Sequence, residues 1–262
     1  MKTAKFERIM NTIAPLSLQE DWDNSGWQIR IGTKVSRVLV SLEITEEVIN
    51  EAITKNCDTI LTHHPLFFNG IKIIDDNTIT GNYVKLLVQN GISVYSSHTP
   101  FDIAEGGNND YLGQLLGFGK IKLLDGDEDK ICRMGSLKKP AIIADFVKNC
   151  SEKLGLDKRY FSYSGCGDLT IKKAAWCTGA GSDYISLAKD AKCDLFITGD
   201  LKYHQAILAK ELGIGVLDLG HYGTEKIFSK NVIDLFVSNL DKSDKIKFIE
   251  SETDINPFTV LE

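Results

Sequence analysis

The sequence lacks the features that would suit a nucleic-acid-binding or membrane protein. Its 262 residues include 30 Lys and Arg against 36 Asp and Glu, a net charge of −6, so a broad basic face for phosphate groups is not expected. No apolar run approaches the roughly 18 residues that span a bilayer, and the first ten residues lack the apolar centre of a signal peptide. We therefore expect no membrane partner, no general nucleic-acid binding and a cytoplasmic location.

Cysteine is present, but not in the pairs that mark a zinc ribbon or a redox site. None of the six cysteines is spaced C-x-x-C. In a chain of this length, isolated cysteines favour reduced and mostly buried thiols. With 43% hydrophobic and 25% charged residues, the composition is that of a globular protein, built as one large α/β domain or as two packed halves.

Histidine is scarce, and all of it falls in three short segments. These segments span residues 62–65, 97–102 and 199–225, and they contain His63, His64, His98, His204 and His221. Histidines used for packing or solvation would be scattered. Imidazole and carboxylate together are ligands of first-row divalent metals, and several of each indicate more than one ion.

Part of the chain repeats itself. Cys57 and Cys193 each precede an aspartate and a short apolar run that ends in threonine. Apolar runs alternating with amphipathic helices before and after these points predict an α/β fold, with largely parallel sheets flanked by helices. We expect a pseudo-duplicated subunit with halves at residues 1–120 and 121–262 and no inserted third domain. Chance similarity of two α/β segments is the alternative.

Two stretches near the middle of the chain have local interpretations. Pro140 is expected to open a helix that runs to about Leu154, because proline is tolerated in a first helical turn. The glycine- and asparagine-rich stretch 106–110 lacks the spacing of a nucleotide-binding loop. We interpret it as a turn that caps a helix over residues 111–116, with substrate contact as the alternative.

The His63-His64 pair directly follows an apolar strand of the first half. In α/β sheets, ligands bind outside the carboxyl ends of the strands. Adjacent side chains at a strand end point in different directions, so the pair can offer one imidazole to each of two neighbouring ions. The alternative is a pair of loop histidines without a ligand role; the other histidine segments favour ligands.

Two further pairs share a four-residue spacing: His98 with Asp102, and His221 with Glu225. On a helical turn this spacing places both side chains on one face, within reach of a single ion. A lone pair of this kind is usually a surface pair. Two such pairs, one in each half and each after a Gly-Ile-x-Val strand, indicate metal ligands.

His204 follows the repeated strand of the second half, where His63 and His64 follow it in the first. It is a candidate ligand, a partner that orients a ligand, or a proton carrier. We favour the last two roles, since four histidines and two carboxylates already suffice for two ions with water. His204 is then the candidate general acid or base. Lys202 could hold an anionic substrate group or could be an exposed, solubilising lysine.

Several motifs together resemble one known family over nearly the whole chain. They read WDNSGWQIRIG, LTHHPLFF, SSHTPFD, GGNNDYLGQLLG, TGDLKYH and GHYGTE. They are similar to the dinuclear-metal toroidal-hexamer proteins, also called NGG-interacting-factor-like, which include GTP cyclohydrolase I type 2 homologues. The resemblance implies metal ligands at His63, His64, His98, Asp102, His221 and Glu225.

The resemblance also implies a ring of six subunits whose sites face an internal cavity. We expect two divalent ions per chain (Zn, Fe, Mn or Ni), about 3–4 Å apart as in two-metal hydrolytic sites, with Glu225 as the bridging carboxylate. Longer members of the family carry an inserted domain for which this chain has no room. Members commonly have aspartate where this chain has Glu43, which bears on local detail around the site.

Three functions fit these features. The first is a metal-dependent hydrolase of a nucleotide or related heterocycle, with GTP ring opening as the resemblance implies. The second is a non-catalytic protein that handles or inserts metals, or a ring scaffold. The third, a DNA-associated regulatory partner, is disfavoured by the acidic charge. A delivery site and a catalytic site use the same ligands, so the sequence does not separate the first two.

Overall fold

The computed structural model describes residues 1–260, which form two mixed α/β units. Its helices, in chain order, are α1 (Thr3–Ile13), α2 (Glu46–Thr54), α3 (Ile79–Gln89), α4 (Thr99–Ile103), α5 (Asn108–Leu116), α6 (Ile143–Leu154), α7 (Ile185–Asp190), α8 (Tyr203–Leu212), α9 (His221–Glu225) and α10 (Phe228–Ser238). Its strands are β1 (Gly26–Ile29), β2 (Arg37–Ser41), β3 (Thr59–Thr62), β4 (Ser93–Ser96), β5 (Phe118–Leu123), β6 (Arg133–Ile142), β7 (Ser162–Ser164), β8 (Thr170–Trp176), β9 (Leu195–Thr198), β10 (Gly215–Asp218) and β11 (Lys247–Glu250). The predicted α/β class is confirmed.

Each unit has one sheet. In the first unit the strand order is β1-β4-β3-β2-β11, and every neighbouring pair is parallel except β1 with β4. In the second unit the order is β5-β6-β8-β9-β10-β7. There, β8, β9 and β10 are parallel, whereas β5, β6 and β7 pair antiparallel with their neighbours. The expectation of largely parallel sheets thus holds for the first sheet and for the centre of the second.

The division of the chain differs from the predicted halves. The first unit comprises residues 1–107 and 228–257, and the second comprises residues 108–227 and 258–260. The chain returns to the first unit because α10 has an apolar face that shares a core with α1. Phe236 of α10 packs against Phe6, with ring centroids 5.0 Å apart, and β11 then pairs with β2.

The repeat is visible in the backbone hydrogen bonds of the two units. The amides of Cys57 and Cys193 donate to the carbonyls of Ala52 in α2 and Ala188 in α7 and so end the helices. The aspartate after each cysteine accepts hydrogen bonds from two successive amides near the start of β2 or β8. The same residue types therefore make the same turn before β3 and β9.

Pro140 does not open a helix, which corrects that prediction. It lies in β6, between Ser136 and Ala141, where the pairing with β8 shifts register. Proline cannot donate to a ladder, and an interrupted ladder accommodates it. The helix α6 begins at Ile143 and ends, as predicted, at Leu154.

The asparagine-rich stretch begins α5 at Asn108, three residues before the predicted start. Asn109 ties the helix to the end of β8: its carbonyl accepts from the Trp176 indole at 2.7 Å, and its Oδ1 accepts from the Thr178 amide at 2.8 Å. These bonds give Asn109 a structural role within the second unit. The predicted turn over residues 106–110 is wrong for residues 108–110, which are already helical.

The helices and the cysteines bear on two points of the sequence analysis. No helix within residues 1–260 combines the length and apolarity that crossing a bilayer requires. All six cysteines lie in this part of the chain and are free thiols, and five of them are buried.

The attachment of the C-terminal segment should be sensitive to acid. Glu51 of α2 accepts hydrogen bonds from Ser251 Oγ at 2.5 Å, Thr253 Oγ1 at 2.7 Å and the Glu252 amide at 2.9 Å. Burial raises the pKa of this carboxyl, but these bonds, together with Lys55, outweigh it and lower the pKa of Glu51 to about 2. A lowered pKa stabilises the fold above the unfolded value, near 4.5, and this stabilisation is lost as the pH falls towards 2.

We therefore expect Glu51→Gln to lower the free energy of unfolding by about 2 kcal/mol at pH 7. The difference from wild type should shrink as denaturant titrations move from pH 5 towards pH 2. Glu46→Gln, an equal charge change at an exposed position of the same helix, is the matched control. A difference for Glu51→Gln that does not depend on pH would contradict the assignment.

Candidate metal centre

The first group of candidate ligands lies where β3 and β4 end side by side. Thr62 pairs with Ser96 in parallel register, and their hydroxyl oxygens are 2.8 Å apart. His63 comes directly after β3, and His98 comes two residues after β4, immediately before α4. The sequence prediction that these side chains gather at the carboxyl ends of parallel strands holds within the first unit.

His63 is fully buried, and both of its ring nitrogens face oxygen atoms. Its Nδ1 lies 2.9 Å from the Ser97 carbonyl, to which a neutral ring donates its hydrogen. The lone pair of Nε2 then lies 3.4 Å from Asp102 Oδ2. Two electron-pair donors converge there, at about the separation of two ligands on a tetrahedral ion with bonds of ~2.1 Å.

His98 is oriented by Asp23. Its Nδ1 lies 2.9 Å from Asp23 Oδ1, and the aspartate side chain is fully buried. Asp23 also accepts hydrogen bonds from Thr99 Oγ1 at 2.7 Å and from Ser25 Oγ at 2.9 Å. Burial raises the pKa of Asp23, but the bonds from His98 and Thr99 outweigh it and lower the pKa to about 2. The carboxylate therefore fixes the His98 ring with Nε2 directed away from Asp23.

His64 has a carboxylate partner as well. Its Nδ1 lies 2.5 Å from Glu43 Oε1, and Glu43 comes two residues after β2. The resemblance described above implies aspartate at this position, and the glutamate side chain reaches the histidine. The departure noted in the sequence thus leaves the imidazole oriented.

The three histidines of the first unit converge. Ring nitrogens of His63, His64 and His98 lie within 4.8 Å of one another. Asp102 adds a buried carboxylate from α4. This carboxylate lies next to His63, whereas its spacing in the sequence had paired it with His98. The first unit therefore gathers three imidazoles, with a carboxylate beside one of them.

The second unit holds a histidine and a carboxylate beside β9 and β10. His221 begins α9, and Glu225 is a buried residue at the end of that short helix. His221 Nε2 lies 3.0 Å from Glu225 Oε2, so the predicted four-residue pairing places both groups together. His221 Nδ1 lies 2.8 Å from Asp200 Oδ2, the same kind of carboxylate contact that His98 makes.

The two carboxylates create a local demand for positive charge at His221. Burial of the ring lowers its pKa, but the contacts with Glu225 and Asp200 outweigh this and raise the pKa of His221 to about 9. A divalent cation bound beside the neutral imidazole would likewise place positive charge near these two carboxylates.

A glycine makes room for this pair. Gly179 has a φ of 59°, in the left-handed region, and a Cβ there would lie 2.1 Å from Glu225 Oε1. Its amide donates to Thr224 Oγ1 at 2.9 Å, which ties the loop after β8 to α9. Any other residue at this position would displace the carboxylate.

The structure revises the register of two predictions. Thr198 ends β9 as Thr62 ends β3, so Asp200, not His204, takes the place of His64. His221 is the first residue of α9, whereas His98 precedes α4, so the two His-x-x-x-acid pairs lie one residue out of step.

The two remaining site candidates lie at the start of α8. His204 is exposed in the first turn, with its ring 5.3 Å from that of Tyr203. Lys202 is the exposed residue just before the helix. Both side chains are exposed, so each can exchange protons with solvent or contact a dissolved ligand.

Sequence reasoning missed the carboxylates that orient the histidines. Asp23 lies in the WDNSGWQIRIG motif and Asp200 in the TGDLKYH motif, so both were within segments already singled out. An aspartate inside each motif was the available signal. The histidine that Asp23 orients, however, lies 75 residues away in the sequence, and the histidine that Asp200 orients lies 21 residues away. Only the fold joins them.

The donor set fits divalent transition metals. In all four histidines that are candidate ligands, Nδ1 faces an oxygen atom of a carboxylate or a backbone carbonyl. This is the usual arrangement of metal-binding histidines, because it fixes the tautomer and presents Nε2. Mixed imidazole and carboxylate ligands suit Zn, Fe, Mn and Ni.

Comparisons with known proteins agree with the motifs. A family model described as Duf34/NIF3 (NGG1p interacting factor 3) matches residues 1–257. A Clostridium perfringens protein named GTP cyclohydrolase 1 type 2 homolog is 35% identical over 266 residues and covers 100% of both chains. A Helicobacter pylori (strain J99) protein named GTP cyclohydrolase 1 type 2 is 33% identical over 88% of this chain and 89% of its own. A Bacillus cereus protein related to NIF3 has the same fold, with a TM-score of 0.92 at 21% identity, covering 100% of this chain and 99% of that one.

Proposed function

Since the chain belongs to the Duf34/NIF3 (NGG1p interacting factor 3) family, we propose that it is a dinuclear metal protein that hydrolyses a nucleotide or related heterocycle. Two divalent ions per chain, of Zn, Fe, Mn or Ni, are the proposed cofactors. The proposed ligands are the four histidines with oriented rings and the two buried carboxylates of the short helices: His63, His64, His98, Asp102, His221 and Glu225.

One observation supports this proposal above the others: the orientation of the four rings. In metal-binding histidines the second ring nitrogen is usually held by a carboxylate or a backbone carbonyl, which fixes the tautomer and the ring orientation. Asp23 is the clearest case. Its side chain is fully buried and accepts several hydrogen bonds, one of them from the His98 ring that it orients. Each ring is thereby prepared to donate from Nε2.

The proposed chemistry is hydrolysis. Two divalent ions held by the six proposed ligands would supply Lewis acidity and would lower the pKa of a water molecule towards neutrality. For GTP, the substrate in the name of the Helicobacter pylori relative, one water would add to the imidazole carbon of guanine and open the ring to a formamide, and a second water would hydrolyse the formamide and release formate. The protein must then deliver a proton to the departing nitrogen.

His204 is the proposed general acid or base for these proton transfers. Its exposed position at the start of α8 lets it exchange protons with solvent, and imidazole is the side chain best suited to proton transfer near neutral pH. Lys202, just before the helix, is proposed to attract an anionic substrate group. Neither group is needed to hold metal in this proposal.

We also propose a homohexameric ring. Ile73, Ile74 and Ile79 of the first unit are 78%, 63% and 73% exposed on the single chain. Neighbouring exposed apolar side chains of this size are typical of surfaces that associate. A sedimentation experiment that gives the mass of one 29.1-kDa chain at micromolar concentration would contradict the ring.

The hydrolase proposal is tested by loading the protein with Zn, Mn or Fe in turn and following GTP consumption. We expect at least one metal form to turn over GTP, and His204→Ala to lower kcat by about 10²–10⁴-fold while retaining its metal. Glu211→Ala, at an exposed position of the same helix, is the control and should keep full activity.

The alternative function has a distinct outcome in the same experiment. If no metal form turns over GTP or another nucleotide, while metal content and assembly are intact, a metal-handling or insertase role becomes the better proposal. Turnover that is unchanged in His204→Ala would instead keep the hydrolase and remove His204 from its mechanism.

A further inference from the structure

Two exposed aromatic rings stand against one metal-ligand candidate. Trp22 is 61% exposed and Phe68 is 47% exposed. The Trp22 ring centroid lies 5.5 Å from that of His98 at an interplanar angle of 77°, and the Phe68 centroid lies 5.6 Å from it at 87°. Both rings therefore contact the same imidazole edge-on while keeping much of their surface open to solvent.

Hydrogen bonds between the loop of Trp22 and the loop of Phe68 hold these two rings in place. Asn24 Nδ2 donates to the Phe67 carbonyl at 2.6 Å, and the Phe67 amide donates to Gln28 Oε1 at 3.2 Å. Gln28 Nε2 in turn donates to the Asn24 carbonyl at 2.6 Å. The loop of Trp22 is thus fastened to the residue next to Phe68, so the two rings keep their places relative to each other.

The third ring of the group is also fixed. Asp23, the residue after Trp22, holds the His98 ring through Nδ1. The loop that carries Phe68 continues past Ile71 and borders an open depression of about 380 Å³, which Ile73 and Ile74 of the proposed assembly surface also line. Open aromatic surface, fixed geometry and adjoining space occur together at one edge of the first unit.

We infer that Trp22 and Phe68 form an aromatic clamp that binds the planar heterocyclic ring of a ligand beside His98. The inference deepens the proposed function and rests on it for the identity of the site as a substrate site. Aromatic side chains bind bases by stacking, which tolerates different ring substituents because every base has a π face. The ligand class is therefore a purine or a comparable fused heterocycle, with the ring and not the phosphates as the group recognised.

The test uses tryptophan fluorescence and equilibrium dialysis on the metal-loaded protein. Trp22 is the exposed tryptophan, whereas Trp176 is fully buried and Trp27 packs against Phe6 and Tyr95. GTP and guanosine should quench the exposed emission, and tripolyphosphate, which has no ring, should not. Trp22→Leu and Phe68→Leu should each weaken guanosine binding by about tenfold.

Matched variants separate the clamp from general effects. Trp22→Phe should lose the quenching but keep most of the affinity, because an aromatic ring is retained. Trp27→Phe should keep both. Unchanged guanosine and GTP affinity in both leucine variants, or no binding of either compound to wild type, would overturn the clamp. A change of sedimentation mass with unchanged affinity would also overturn it and assign the rings to a subunit interface.

The outcomes for the clamp and for the hydrolase are distinguishable. Ring-dependent binding without turnover would retain the clamp and remove the hydrolase. Turnover with the same KM in wild type and in both leucine variants would retain the hydrolase and remove the clamp.

Discussion

Replacing Asp23 with asparagine is expected to weaken divalent-metal binding by about 10–100-fold. Asparagine has nearly the same shape but no charge, and its amide no longer fixes the His98 ring as an oriented electron-pair donor. The variant also disturbs bonds from Thr99 and Ser25, so the free energy of unfolding should fall by about 1–3 kcal/mol.

A Zn²⁺ competition titration with a chromophoric chelator measures the affinity, and denaturant unfolding of the metal-free protein measures stability. Asp21→Asn, an equal charge change at an exposed neighbour, is the control and should alter neither. Unchanged affinity in Asp23→Asn would mean that His98 is not a ligand held by this carboxylate.

The second large effect is expected from His64→Ala. The substitution removes an imidazole that lies within 4.8 Å of those of His63 and His98, so bound metal should fall well below two ions per chain. His204→Ala removes an exposed imidazole and should leave most of the metal in place. Plasma emission spectrometry on protein dialysed against micromolar Zn²⁺ measures both variants.

The pair of variants tests the division of roles among the histidines. Full metal content in His64→Ala would contradict its assignment as a ligand. A large loss in His204→Ala would contradict the assignment of that residue to proton transfer.

The parts of the fold and site that the sequence predicted are those set by local pattern. The turn at Cys57 and Cys193, the apolar strands after it and the histidines at the strand ends depend on neighbouring residues alone. The pairing of His221 with Glu225 follows from the rise of a single helical turn. Such features can be predicted from the sequence because the interactions that stabilise them join residues close together in the chain.

The features that escaped prediction depend on distant parts of the chain. Asp23 meets His98 only after β1 has paired with β4, and the first unit gains α10 only when Phe236 meets Phe6. Pro140 was assigned to a helix because proline suits a first turn, but it equally suits a break in a ladder. Spacing alone also placed His204 where the strand register puts Asp200.

The same limits explain the departure at Glu43. From the sequence, glutamate in place of the usual aspartate put the local site in question. In the structure, the Glu43 carboxylate reaches His64 Nδ1, while 44% of the Glu43 side chain is exposed. Whether a side chain longer by one methylene still reaches His64 depends on the distance between the two residues, and a sequence motif does not give that distance.

The most direct test of the account is anomalous diffraction from crystals grown with saturating Zn²⁺. The proposed dinuclear site predicts two anomalous peaks per chain, each bonded to histidine Nε2 atoms at about 2.0–2.1 Å, with carboxylate oxygens completing the sites. A single peak, no peak, or bonds through Nδ1 with the orienting carboxylates displaced would contradict it.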